Sequence, residues 1–135
     1  MINTNIARLF EIDFPIILGD LHWIARGELT ASVSEAGGLG IIAAGACRDR
    51  DEVLKEIEAV RGLTDRPFGI SVLTSRGESQ LDFLEVAAQA KVKAVFTSGI
   101  ITCELLHSLH AAGVKWVPCA AELAGAMRCE EAGAD

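Results

Sequence analysis

The sequence has no cluster of lysine and arginine, no CxxC pair and no apolar run of membrane-spanning length, and each absence removes a class of function. Basic residues number 12 against 19 acidic ones, a formal net charge of −7. A surface that tracks polyphosphate needs clustered Lys and Arg, so no nucleic-acid partner is expected. The longest uncharged stretch runs only from residue 36 to 47 and holds four glycines, which leaves no membrane span. The opening MINTNIARLFEIDFP carries acidic residues and no apolar core, unlike a signal or transit peptide. Cys47, Cys103, Cys119 and Cys129 lack metal-ligand spacing. They read as free, largely buried thiols, which suits a reducing cytoplasm. No linker, charge block or low-complexity stretch divides the 135 residues, so one α/β domain is expected over 1–135.

What is present is an alternation. Hydrophobic residues make up 50% of the chain and charged residues 23%, enough to bury a core. Short, nearly continuous apolar runs occur at PIILG (15 to 19), GLGIIAAG (38 to 45), FGISVL (68 to 73), AVFTSG (94 to 99) and KWVPCA (115 to 120). Strands covered by helices on a face have this character, whereas half-exposed strands alternate with polar residues. Between them lie helical stripes: Val53, Leu54, Ile57 and Val60; then Leu81, Leu84 and Ala88; then Leu105, Leu106 and Leu109. A short small-residue helix from Glu28 to Ala36 carries Leu29 and Val33 four apart, and a last one runs from about Ala121 to Ala132 with Gly133 as its stop. The order is β-α five times over, with right-handed parallel crossovers. Two architectures have this order: the first five βα units of a TIM-type (β/α)8 barrel, or a free-standing open parallel α/β sheet. Ala134-Asp135 falls where a sixth strand would start.

In either architecture ligands meet the C-terminal ends of the strands. Those ends carry Gly19, Asp20, Leu21, His22 and Trp23; then Cys47; then Ser71, Thr74 and Ser75; then Thr97, Ser98 and Gly99; then Cys119. GGLGIIAAG imitates a dinucleotide fingerprint, but its glycines end a helix and enter a strand, the reverse of what the pyrophosphate needs. His22 reads as a loop residue, and His107 and His110 as a solvated helix face with no third ligand, so no metal site is assigned. Asp20 could hold a ligand hydroxyl or cap the next segment. No base, nucleophile and orienting group assemble from these residues.

The run FPIILGDLHWIARGELTASVSEAGGLGIIAAG, residues 14 to 45, resembles the N-terminal region of the nitronate monooxygenase family, formerly the 2-nitropropane dioxygenases. That family includes FMN-dependent enoyl-acyl-carrier-protein reductases and typically reads P-I-x-x-G-G-M-x-W-x-A, then A-V-S-x-A-G-G-L-G-x-I-G-x-G. LTDRPFGISV (63 to 72) is similar to the family's LTDKPFGVN, and the likeness continues through HAAGVKWVPCAA to AGAD. The resemblance implies a TIM barrel, an FMN cofactor, and oxidation of alkyl nitronates or reduction of an enoyl thioester as the small-molecule substrate. It implies that this chain is an N-terminal portion, without the loop bearing the catalytic histidine and without most of the phosphate site. No catalytic residue is therefore assigned, and the isolated chain is expected to have little or no activity. The cofactor-binding positions it implies are Gly19, Asp20, Leu21 and Ser71. Gly19 matches the first glycine of G-G-M, Asp20 replaces the second, Leu21 replaces the methionine, and Ser71 stands where the family has asparagine. Thr97 and Gly99 are kept from a T-x-G-A-G segment. Open strand edges imply self-association or a covering partner. The alternative is a non-catalytic α/β ligand-binding or assembly protein derived from the same family.

Overall fold

The computed structural model describes residues 2–74 and 78–135. Four strands form one sheet: β1 (Gly40–Ala43), β2 (Phe68–Val72), β3 (Ala94–Thr97) and β4 (Lys115–Pro118). They lie in the order β1-β2-β3-β4 and all pairs are parallel. The fifth expected strand, at residues 15 to 19, is reduced to a parallel bridge between Ile17 and Leu39 on the outer side of β1. Leu18 N–H donates to the Leu39 carbonyl and Leu39 N–H to that of Ile16, each at 2.9 Å. The ladder goes no further for a local reason. Pro15 has no N–H to give, and beyond Gly19 the chain turns on itself through a Leu21 N–H to Gly19 carbonyl bond of 2.9 Å.

Six α-helices accompany the sheet among the described residues: α1 (Asn5–Phe10), α2 (Gly27–Glu35), α3 (Arg50–Leu63), α4 (Glu78–Ala90), α5 (Cys103–Ala111) and α6 (Leu123–Glu131). Asp49 and Thr102 start α3 and α5 as N-caps, accepting from the Glu52 and Leu105 amides. Gly133, at φ +98°, takes the left-handed conformation that stops α6 where the sequence indicates. Neighbours in space are neighbours in sequence throughout. The order never reverses as it would in a doubly wound sheet, so the chain folds as the opening βα units of a (β/α)8-type barrel.

Two apolar clusters hold these layers. On the outer face Ile42, Ile70, Val95 and Trp116 meet Val53, Ile57, Val60, Leu84 and Leu109 from the helices. Burying each of these large side chains contributes about 1.5–3 kcal/mol. On the inner face α1 brings Ala7 and Phe10, and the segment after it Ile12, against Leu39 and Ala94 at the N-terminal ends of the strands. Phe10 and Phe96 stack at a tilt, their centroids 6.1 Å apart. The sequence pattern does not foretell α1, because six residues are too few for a stripe; its one local signal is Thr4, whose hydroxyl caps the Ala7 amide at 3.1 Å.

Two expected faces are corrected. Leu54 belongs to the α3 stripe by spacing but is 39% exposed, because Val53, Ile57 and Val60 already fill the contact. In α2 the buried side is Gly27, Thr30, Ala31 and Ser34, while Leu29 and Val33 are only half-buried. Small residues face inward there because α2 lies directly on β1: a Cβ on Gly40 would sit 2.0 Å from the Thr30 carbonyl oxygen.

Ala134-Asp135 runs beside β4, at the position expected for a further strand. Asp135 N–H donates to the Trp116 carbonyl at 3.0 Å, and its carboxylate accepts from Trp116 N–H at 3.0 Å and Lys115 Nζ at 2.8 Å. His110 Nε2 lies 3.0 Å from the same carboxylate. Burial works against that charge, but these partners outweigh it and hold Asp135 below the usual carboxylate range.

Candidate functional site

A pocket of ≈ 370 Å³ opens at the C-terminal ends of the strands, and two of its lining residues, Ile17 and Phe96, pack against the cluster that holds α1. Its walls are mainly apolar, with Ile17, Ile41, Val72 and Phe96 among them, and its polar side chains are Asp20, Ser71, Thr97, Ser98 and Cys119. Gly19 and Asp20 arrive from the bridge beside β1, Ser71 from β2, Thr97 from β3 and Cys119 from just past β4. Ser71, level with Phe96 in the register, faces inward with it by period-2 alternation, whereas Thr97, level with Val72, belongs to the opposite face with Trp116 and meets the pocket at the strand end.

Three of the four expected positions, Gly19, Asp20 and Ser71, thus share one pocket. Leu21 does not line it; the turn after Gly19 carries its side chain outward, 46% exposed. Ser71, buried, donates its hydroxyl hydrogen to Asp20 Oδ2 at 2.7 Å. Thr97 Oγ1 accepts from Trp116 Nε1–H at 2.9 Å and donates to the Gly99 carbonyl at 2.5 Å, so it serves the scaffold. The Thr74 and Ser98 hydroxyls pair at 3.2 Å. Ser75 lies outside the described residues.

The other candidates fall elsewhere. His22 stands edge-on to Trp23, centroids 5.0 Å apart, and does not line the pocket. His107 is exposed, and His110 is engaged with Asp135. Cys103 and Cys119 are exposed, against the expectation of largely buried thiols, while Cys47 and Cys129 are buried. Burial pushes the Cys47 thiol up to about 11, with Arg26 only partly opposing it. Cys47 is therefore protonated near neutral pH and is no nucleophile. Among the described residues no group of three His, Cys, Asp or Glu side chains could hold a metal ion, and no helix is long and apolar enough to cross a membrane.

One cluster beside the site escapes sequence reasoning. Arg26, at the end of the loop that carries Asp20, donates Nε–H to Glu56 Oε1 at 2.9 Å and Nη2–H to Glu52 Oε1 at 2.7 Å. Gly27 N–H adds a 2.6 Å bond to Glu56 Oε2, so the loop is clamped to α3. No local motif announces contacts 26 and 30 residues apart. Glu52 accepts from the Arg48 amide and from the Arg26 guanidinium, which lower its pKa from the ordinary 4.5 to about 2. A depressed folded-state pKa contributes stability above the unfolded value, lost as pH falls through the folded one. The stability difference between wild type and Glu52→Gln is therefore expected to be full at neutral pH and to vanish between about 4.5 and about 2. Urea titrations across that range measure it, and a constant difference would show that the Glu52 charge contributes nothing.

Consecutive parallel strands, outer helices and a pocket at the strand C-termini define the opening part of a (β/α)8-type barrel, with the pocket at the face where that fold usually holds its ligands. The chain belongs to the nitronate monooxygenase family, whose sequence profile, described as nitronate monooxygenase, matches residues 3–135. It is 27% identical over 134 residues to (3aS,4S,5R,7aS)-5-hydroxy-7a-methyl-1-oxo-octahydro-1H-indene-4-carboxyl-CoA dehydrogenase of Mycobacterium tuberculosis, covering 99% of this chain and 37% of that protein. It is 41% identical over 71 residues to nitronate monooxygenase of Pseudomonas aeruginosa, covering 52% of this chain and 20% of that one. Among solved structures, FabK from Thermotoga maritima superposes with a TM-score of 0.91 at 34% identity, over 100% of this chain and 43% of its own. Nitroalkane oxidase from Streptomyces ansochromogenes gives 0.84 at 27% identity, over 96% and 46%. The chain spans less than half the length of these relatives.

Proposed function

We propose that this chain forms the ring-binding side of an FMN-dependent oxidoreductase centre of the nitronate monooxygenase or enoyl-acyl-carrier-protein reductase type. The observation that carries this is the ≈ 370 Å³ apolar pocket at the strand C-termini of a chain from this family. Its residues suit a flat aromatic ring. Ile17, Ile41, Val72 and Phe96 offer apolar walls, and Gly19 has nothing within 4 Å of where its Cβ would be, which leaves room for close approach. Among the described residues no Lys or Arg lines the pocket, so these residues fit the ring and not the phosphate. FMN, when bound, supplies the electron transfer. The chain's own part is to exclude water with the apolar walls and to orient the ring edge through Asp20 and Ser71.

One observation favours a second reading, a non-catalytic ligand-binding or assembly protein. Asp20 sets a carboxylate where the family has a glycine, against a ring that gains electron density on reduction. Under either reading a small molecule is the ligand, the cytoplasm is the location, and a second copy or partner covers the open strand edges.

Titration with FMN, followed by quenching of flavin fluorescence and a shift of its visible band, tests the first reading. Binding is expected in wild type and not in Gly19→Phe, a change that fills the mouth without backbone strain and leaves the melting temperature unaltered. Unquenched flavin with wild type would sink the cofactor reading. The same sample's mass in solution is expected to exceed the 14.3 kDa of a single chain.

A further inference from the structure

The two pocket residues that depart from the family pattern, Asp20 for glycine and Ser71 for asparagine, are bonded to each other at 2.7 Å. Resting on the pocket being the ligand site, we propose that this pair makes the pocket select neutral ligands, best those carrying an N–H or O–H, and exclude anions, alkyl nitronates included.

The argument is an account of charges and donors. Among the described residues Asp20 is the one charged residue lining the pocket, and none of them sets a cation beside it. Arg26, on the same loop, is engaged by Glu52 and Glu56. An anion entering there meets a like charge with nothing to offset it. Side-chain hydrogen-bond donors are equally scarce. Ser71 gives its hydrogen to Asp20, Thr97 gives its own to the Gly99 carbonyl, and Ser98 pairs with Thr74. Among the described side chains only one hydrogen of the Thr74–Ser98 pair and the Cys119 thiol, a weak donor, remain. The two oxygens of a nitronate would leave water for a wall that offers them almost no side-chain hydrogen. The free lone pairs of Asp20 and Ser71, by contrast, are acceptors waiting for one. Asparagine at position 71 would carry two donors, and glycine at position 20 no charge, so each departure pushes the same way.

Methacrylate and methacrylamide, an anion and a neutral molecule of one shape, test this by ligand-observed NMR with amide shifts of Ser71, Val72 and Thr97. Wild type is expected to bind methacrylamide roughly tenfold or more tighter than methacrylate. Asp20→Asn keeps the shape and removes the charge, and should move that ratio roughly tenfold toward methacrylate. Ser71→Ala retains the charge and should still prefer the amide. Equal binding of the two probes by wild type, an unchanged ratio in Asp20→Asn, or no shift with either probe would overturn the proposal. Its failure reads apart from that of the cofactor reading. Bound FMN with equal probe affinities sinks only the selectivity, and unbound FMN with an Asp20-dependent ratio sinks only the cofactor.

Discussion

Gly40→Val is expected to yield no folded protein, and Gly40→Ala to cost at least about 3 kcal/mol, at the upper end of what overpacking usually costs. A Cβ at this position would lie 2.0 Å from the Thr30 carbonyl oxygen and 2.8 Å from the Thr30 carbonyl carbon and from Ser34 Oγ. Two of those atoms are helix backbone, which cannot swing aside as a side chain can. Moving α2 outward would also break a relay in which Gly40 N–H donates to Ser34 Oγ at 3.1 Å and Ser34 Oγ–H to the Pro67 carbonyl at 2.9 Å. Domains of this size carry only about 5–15 kcal/mol of net stability, so a clash joined to lost buried hydrogen bonds removes most of it. Circular dichroism and thermal melting measure the effect. A Gly40→Ala variant that melts with wild type would show that α2 and β1 are further apart than this geometry has them.

Trp116→Ala is expected to cost about 3–5 kcal/mol, the range for removing a large buried aromatic side chain. The indole is fully buried in the outer apolar cluster, and its Nε1–H meets Thr97 Oγ1 at 2.9 Å. Trp116→Phe separates the two contributions. It keeps most of the apolar bulk and removes one buried donor, so a smaller loss of about 1–2 kcal/mol is expected. Thr97 keeps its bond to the Gly99 carbonyl in that variant, which limits the damage. Urea unfolding of both variants gives the comparison. Equal losses would mean that the hydrogen bond, rather than the bulk, holds β4 to the helices.

Much of this architecture is legible in residue order. GLGIIAAG, FGISVL, AVFTSG and KWVPCA each contain the observed strand, with one to four extra residues at the ends, because burial on both faces leaves an unbroken apolar run. PIILG has the same composition but forms only a bridge, since pairing there is limited by Pro15 and by the turn at Gly19, which composition does not weigh. The α2 face misleads for another reason. Hydrophobic spacing points to Leu29 and Val33, but the distance to β1 at Gly40 admits only small side chains, and that distance is a tertiary fact. At the site, strand ends could be read off directly, so Gly19, Asp20, Ser71, Thr97, Ser98 and Cys119 were all nameable. The bond between Asp20 and Ser71 was not, because 51 residues separate them and only the folded sheet brings them together.

The succession β1-β2-β3-β4 has a bearing on how the chain is made. Each new βα unit leaving the ribosome docks on the one just before it, so most contacts close over short loops and the sheet can grow at its newest edge. The amino-terminal helix is the exception. Phe10 packs on Phe96, and Ala7 and Ile12 share a cluster with Ala94, so α1 is made before β1 yet has no complete seat until β3 exists. During synthesis its apolar side must stay in water, or under a chaperone, for longer than any other helix.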